Sequence, residues 1–509
     1  MTTLCNLVVD TSAIDSALAE FRHAYPAYDA TSPLDELRAK EYGRLDLLGQ
    51  TYLDYTGGGL YAESQLRQHI DFLIHGVFGN PHSANLPSLE MTERVEQARE
   101  CVLEFFNASP EEYEVIFTQN ATGALKLIGE SYPFGSGSRY LLTSDNHNSV
   151  NGIREIAKAK GAHVEYVPIR SSDLRVDHDL LIRRLSSRAS GRRHVVSRMG
   201  HGRLCGRNRG NKLFAYPAQS NFSGVQHSLD WVTEAQASGW DVLVDCAAFA
   251  PTNQLDLGRW HPDFASLSFY KIFGYPTGIG CLIARKSALA KLRRPWFAGG
   301  TVMCSSVKAA DVPGAGFLRT PGPAGYEDGT VNYLAIPAID IGLRHIASVG
   351  MGMIHTRVTC LTSWLLERLV GLRHGNGAPM IRIYGPLDTR MRGGTIAMNF
   401  FDPAGQLIDS RLVEREANRV KLSLRSGCHC NPGARETALA LSRNELVECA
   451  LSSDHLSDED FLHVVDEKTT GAARVSIGLA TTFADVYRFY EFAAGFRDVP
   501  LDDEVGPIR

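Results

Sequence analysis

The chain has 509 residues, 44% of them hydrophobic and 21% charged, with a formal net charge of −5. That balance is ordinary for a soluble globular protein, argues against a nucleic-acid or membrane partner, and allows two or three domains around a large core. No run approaches the ~18 apolar residues of a membrane-spanning helix. The stretch from Met1 to Asp10 lacks the regions of a signal peptide, and ten scattered cysteines do not read as a disulfide framework. A reduced, cytoplasmic protein is expected.

Residues 11–50 read as polar helix, with Leu18, Phe21, Leu34 and Leu37 at helical spacing. A short strand from Thr51 to Tyr55 runs into Gly57, Gly58 and Gly59, where the backbone can approach a ligand closely. After a loop from Gly79 to Asn85 comes an amphipathic helix from about Leu89 to Asn107, with Val95, Ala98, Val102 and Phe105 along one face. From about 113 to 290 strands alternate with helices: Glu114–Thr118, Tyr140–Thr143, His163–Val167, Leu213–Tyr216, Val242–Asp245 and Ala265–Ser268 are the strands. The alternation predicts an α/β fold, a mainly parallel sheet with helices on both faces, in which ligands collect at the carboxyl ends of the strands. Nine arginines and no acid lie between Arg183 and Arg209. This run reads as a surface insertion over about 183–212 that buries no strand or helix; the alternative is an arm for a partner. Helices at Leu334–Ala347 and His355–Val370 then precede strands at Ile381–Tyr384, Gly394–Phe400, Leu422–Leu424 and Ala473–Ile477, a smaller α+β domain. The expected division is 1–78 serving the small domain and the site, 79–340 forming the large domain, and 341–509 forming the small one.

One lysine stands out. The apolar run Phe264 to Tyr270 reads as a buried strand that delivers Lys271 into a Gly/Pro turn. Its amine either snorkels to water or carries pyridoxal phosphate (PLP) as a Schiff base. The other parts of a PLP site are present after neighbouring strands. Asp245 can meet the pyridine nitrogen, and Thr118 to Gly123 opens a helix whose free N–H groups suit a phosphate, though Asn120 also makes a good helix cap. His147 offers a ring to stack on the cofactor, Asn221 a donor to its 3′-oxygen, and Arg474 a bidentate partner for a substrate carboxylate. Between Arg425 and Gly433 lies a Cys-His-Cys triplet without a second ligand pair at zinc spacing, so no metal is expected. A thiol flanked by His429 and Arg425 is instead the setting that lowers a cysteine pKa, and a thiolate near a PLP lysine suggests sulfur transfer.

Phe269 to Gly278, Gly79 to Ser83, Tyr216 to Gly224 and Gly427 to Ala434 together resemble the N-terminal domain of the molybdenum cofactor sulfurases, in the class V aminotransferase/cysteine desulfurase group of PLP fold type I. The resemblance runs from about Thr51 to Phe496. It implies that Lys271 is the Schiff-base lysine, Asp245 the pyridinium partner, His147 the stacking ring and Asn221 the 3′-oxygen donor. It further implies that Ala121, Thr122 and Ser268 hold the phosphate, with Thr301 or Thr330 reaching in from the other subunit of a homodimer. Arg425, Arg474 and Asn80 would face the substrate, L-cysteine, and Cys430 would carry a persulfide as alanine leaves, with Cys428 beside it. The sulfur acceptor implied is the molybdenum cofactor, on a separate protein, because the 509 residues leave no room for the family's C-terminal domain. Two departures from the family pattern stand out: Arg435 replaces a cysteine, and the strand-end motif reads Asp54-Tyr-Thr-Gly-Gly. A PLP-dependent C–S lyase or aminotransferase-like enzyme, and a non-catalytic sulfur-carrier scaffold, are the alternatives.

Overall fold

The computed structural model describes residues 11–187, 210–312, 316–452 and 471–499. Its strands in chain order are β1 (Thr51–Tyr52), β2 (Tyr113–Thr118), β3 (Arg139–Thr143), β4 (His163–Val167), β5 (Lys212–Pro217), β6 (Asp241–Asp245), β7 (Phe264–Ser268) and β8 (Gly280–Arg285). They are followed by β9 (Val302–Ser305), β10 (Phe317–Arg319), β11 (Ile381–Tyr384), β12 (Thr395–Phe401), β13 (Leu407–Ile408), β14 (Leu422–Ser423), β15 (Arg425–Gly427) and β16 (Ala472–Ser476).

The large sheet has seven strands in the order β2-β8-β7-β6-β5-β3-β4. Only β8 runs antiparallel to its neighbours. Because a strand turns successive side chains to opposite faces, single strands feed two cores. Leu141, Phe214 and Val242 pack on one side of the sheet, and Tyr140, Leu142, Leu213 and Leu243 on the other. Burial on both faces explains why these strands read as continuous apolar runs and why helices must cover both sides. The fold is α/β, as the alternation predicts. The parallel strands all end on one side, and Asp245, Ser268 and the turns after β3 and β5 meet there.

The small sheet is antiparallel, in the order β11-β12-β16-β15. The N-terminal segment packs on this unit. β1 pairs in parallel with β14, Phe21 stacks on Phe483 with ring centres 4.7 Å apart, and Arg38 Nη1 meets Asp485 Oδ2 at 2.7 Å.

Several boundaries differ from those the sequence predicts. The helix expected at Leu89–Asn107 spans Leu86–Phe105, since Asn85 caps the Ser88 N–H at 3.1 Å and Asn107 turns left-handed with φ 49°. The arginine-rich run does contain a buried helix: His178–Ser186 includes Arg183 and Arg184 and buries Leu181 and Leu185. Arg184 pairs with Glu165, and Lys212 already begins β5. The rest of that run, 188–209, lies outside the described residues. Among the described residues, no helix is long and apolar enough to cross a membrane.

Candidate active site

Lys271 is not at a strand end. β7 stops at Ser268 and the chain makes one helical turn, Phe269–Phe273, which Gly274 ends with φ 81°. Phe269, Ile272 and Phe273 are buried, and Gly342 lies so close to the Phe273 ring that a Cβ there would sit 2.2 Å from it. A short apolar run cannot reveal this switch, because strand and helical turn bury it equally well. The turn is thus locked from behind, and its one charged side chain faces the sheet's carboxyl end. Lys271 has no hydrogen-bond or ion-pair partner among the described residues. Burial chiefly, with the charges of Arg474 and Arg425, pushes its pKa below the ordinary lysine value, while Asp245 and Cys430 pull it back.

Lys271 opens onto a cavity of about 110 Å³ lined also by Ala121, Thr122, His147, Asn221, Asp245 and Ser268. A larger cavity of about 390 Å³ runs along the helix Ala121–Ser131, but its lysine, Lys126, is largely exposed, so the chemistry belongs to the smaller one. Asp245, at the end of β6, accepts from Ser266 Oγ at 3.2 Å and Ala247 N–H at 3.1 Å. Both bonds fall on Oδ1, leaving Oδ2 without a partner among the described residues. His147 accepts the Ser149 N–H at Nδ1, 3.1 Å away, so its neutral ring carries the proton on Nε2. Burial, with Lys271 and Arg474, lowers its pKa against the pull of Asp245. At the start of the helix, Asn120 does cap Gly123 N–H, at 3.0 Å, and Ala121 N–H bonds Ser268 Oγ at 2.9 Å. Thr122 keeps a hydroxyl linked to Ser149 Oγ at 2.8 Å. An unpartnered, half-buried amine, a free carboxylate oxygen and hydroxyls at a helix N-terminus fit the lysine, pyridine-nitrogen and phosphate requirements of PLP.

Beside the cavity stands a cluster that sequence reasoning had only in part. Arg474, on the inner strand β16, is 2% exposed, so it is no surface ion pair. It donates from Nη1 to Asn221 O and from Nη2 to Asp54 Oδ1, each at 2.9 Å. Arg425 donates to Asp54 Oδ2 from Nε at 3.0 Å and Nη2 at 2.8 Å. Asp54 was visible only as the acid of an unusual strand-end motif. Gln219 and Tyr270 also line the cavity and carried no sequence signal beyond lying in a motif.

The cysteine loop is fastened to the large domain. Asn148 N–H bonds Cys430 O at 2.7 Å, Asn221 Nδ2 bonds His429 O at 2.5 Å, and Asn431 Nδ2 bonds Asp145 O at 2.8 Å. His429 and Cys430 both adopt left-handed backbone, φ 52° and 54°. Such strain persists only where surroundings over-determine it. Cys430 is exposed and Cys428 half-buried. His429 departs from expectation: it is buried, and burial chiefly, with Arg474 and Arg425, holds its pKa well below the ordinary value. It is neutral and lends the thiols no positive charge.

Thr301, Thr330 and Asn80 lie outside both the cavity lining and the arginine cluster. Thr301 is buried, with Oγ1 bonded to Ala298. Asn80 is exposed; it donates to Thr330 Oγ1 at 3.3 Å and accepts the His82 N–H at 3.2 Å, so within one chain it does not meet the substrate side of Lys271.

The aminotransferase class-V family profile matches residues 51–190 and 206–489. A molybdenum cofactor sulfurase of Arabidopsis thaliana is 36% identical over 513 residues, covering 94% of this chain and 60% of that protein. One of Homo sapiens is 34% identical over 481 residues, covering 90% and 51%. The chain therefore spans little more than half the length of these relatives. Among solved structures, a cysteine desulfurase from Thermococcus onnurineus NA1 matches with a TM-score of 0.70 at 21% identity, covering 90% of this chain and 96% of that one. A cysteine desulfurase from Escherichia coli matches at 0.66 and 20% identity, covering 90% and 97%. The fold is that of the cysteine desulfurases, and the chain belongs to the aminotransferase class-V family.

Proposed function

We propose that the protein is a PLP-dependent cysteine desulfurase-like enzyme of the molybdenum cofactor sulfurase type, which takes sulfur from L-cysteine onto Cys430. The observation that carries this reading is an anchored thiol near an unpartnered, half-buried lysine. Asn148 holds the Cys430 backbone at 2.7 Å, and the charges of Cys430 and Lys271 act on each other. Lys271, Asp245, His147, Asn221, Ala121, Thr122 and Ser268 would hold PLP. Bound there, the cofactor supplies an electron sink for charge developing at the substrate α-carbon.

The chain's own residues supply the rest. Lys271 Nζ, its proton affinity lowered by burial, moves the proton at that carbon. Arg474 and Arg425 bind the carboxylate. Cys430 Sγ attacks the substrate sulfur and the substrate C–S bond breaks; the sulfur stays on Cys430 as a persulfide, and the remainder takes a proton and leaves as alanine. A reduced cytoplasmic compartment keeps such a thiol free. The names of the relatives favour the molybdenum cofactor as the sulfur acceptor. A second copy of the chain completes the reading. Thr301 directly precedes the β9–β10 hairpin, whose Met303, Val307, Phe317 and Leu318 are exposed apolar side chains suited to an isologous contact.

Product analysis with L-cysteine tests the proposal. Wild type should release alanine, and Cys430→Ser should lose that release while keeping the visible band of bound PLP. Alanine release by Cys430→Ser at the wild-type rate overturns the role of Cys430; pyruvate or ammonia in place of alanine overturns the desulfurase reading in favour of a lyase or aminotransferase.

A further inference from the structure

The clamp beside the cavity holds two guanidiniums and one carboxylate. Arg425 occupies Asp54 Oδ2 and Arg474 occupies Oδ1. One positive charge is left over. Arg474 Nε, buried and without a hydrogen-bond partner, is left over as a donor. A buried N–H of a charged group with no acceptor is costly and points to a ligand that supplies one.

The position of Asp54 is over-determined. β1 lies along β14, Asp54 bridges to Ser476, two residues beyond Arg474, and the N–H groups of Gly57 and Gly58 turn back to Asp54 O at 3.0 and 3.1 Å. A Cβ on Gly57 would sit 2.5 Å from both Asp54 Oδ2 and Arg425 Nη2. No side chain fits at Gly57 while Asp54 holds both arginines.

We propose that Asp54 is a positioning residue that leaves the clamp one net positive charge and so restricts the cleft to amino acids with one carboxylate and an uncharged side chain. The α-carboxylate of such a ligand neutralises the excess and offers Arg474 Nε its acceptor. With Lys271 committed to the cofactor, a second acidic group on the ligand finds no further unmatched cation, and it meets the carboxylates of Asp54 and Asp245. The inference rests on the reading that the cleft binds an amino acid, and it adds the class of amino acid that the site accepts.

Binding of L-alanine and L-aspartate to the holoenzyme, followed through the visible band of the cofactor, tests it. Wild type should favour L-alanine by about tenfold or more, since like-charge juxtaposition is strongly disfavoured. Asp54→Asn should tighten L-aspartate and erase most of that preference, while Asp54→Glu, which keeps the charge, should retain it. With L-cysteine, Asp54→Asn should change KM far more than kcat. Equal binding of the two ligands by wild type overturns the proposal and needs no variant. An unchanged ratio in Asp54→Asn, with both ligands weakened alike, overturns it too. A wild type that discriminates the ligands but releases no alanine from L-cysteine sinks the desulfurase reading and leaves the role of Asp54 standing.

Discussion

The side-chain amide of Asn221, on the turn after β5, donates to the backbone carbonyl of His429 at 2.5 Å. One bond thereby joins the large sheet to the cysteine loop of the small domain. The same side chain accepts from Asn431 Nδ2 at 3.1 Å at its Oδ1, and the Asn221 backbone carbonyl accepts from Arg474 Nη1 at 2.9 Å. Asn221→Ala leaves the buried His429 carbonyl unpaired, while Asn431 Nδ2 keeps Asp145 O, and should cost about 1–3 kcal/mol of unfolding free energy. Alanine release should fall further than stability does, because the loop is freed where Cys430 must be aimed. Urea denaturation beside product assays checks the pair; a loss of stability with full activity goes against the aiming role.

Gly59 passes against the Lys271 turn. Its N–H bonds Tyr270 O at 3.0 Å, and a Cβ would lie 2.9 Å from Lys271 O and 3.1 Å from Tyr270 O. Those contacts are with backbone, which cannot swing aside, so Gly59→Ala should push the Lys271 turn away. Overpacking of this kind costs about 1–3 kcal/mol. The expected outcome is a folded protein with weakened PLP retention, read as loss of the visible band on dialysis.

Two imidazoles make stability depend on pH. His147 and His429 both have pKa values lowered below 6.5, chiefly by burial. In the window between that ordinary value and the lowered ones, the unfolded chain binds protons that the native chain does not. Their contribution is therefore fully present above the ordinary value and is lost as pH falls below it. Tm should drop on acidification from about pH 7 to about pH 5, and more shallowly in His429→Phe. A variant curve parallel to wild type contradicts the burial of a neutral His429.

The N-terminal segment is held by a buried pair. Arg38 Nη1 meets Asp485 at 2.7 Å and Ala480 O at 2.5 Å, and Asp485 is 1% exposed. Arg38→Met strands a buried carboxylate and should cost about 3–5 kcal/mol, whereas Arg38→Met with Asp485→Leu should recover most of it. Chemical denaturation of the two variants decides the point: equal losses mean the pair itself, not the orphaned acid, sets the energy.

The parallel sheet was legible because its inner strands, such as Val242–Asp245, are buried on both faces and so stand out as apolar runs between helices; the edge strand His163–Val167, buried only at Val167, also falls where it reads. Local ambiguity hid the rest. Phe264 to Phe273 carries buried apolar residues on both sides of Ser268, and nothing in it marks Ser268 as the last strand residue. In the arginine-rich run, charge masked the amphipathic pair Leu181 and Leu185, which alone told of a helix. The function of Asp54 was invisible for another reason: its partners, Arg425 and Arg474, lie 371 and 420 residues away. No local pattern encodes a contact that the parallel pairing of β1 with β14 creates. The burial of His429 was hidden likewise, since a Cys-His-Cys triplet in a polar loop reads as open to water.

The fastening of Cys430 O to Asn148 has a consequence for traffic. With its carbonyl tied down and its backbone held left-handed, this cysteine is a fixed dispenser rather than a swinging arm, free only to turn about its own side-chain bonds. On the proposed reading, sulfur loaded on Cys430 stays within a bond rotation of where it was loaded. Any recipient must make the journey itself and present a protruding reactive atom at that spot; a recipient whose atom is recessed in a pocket of its own goes home empty.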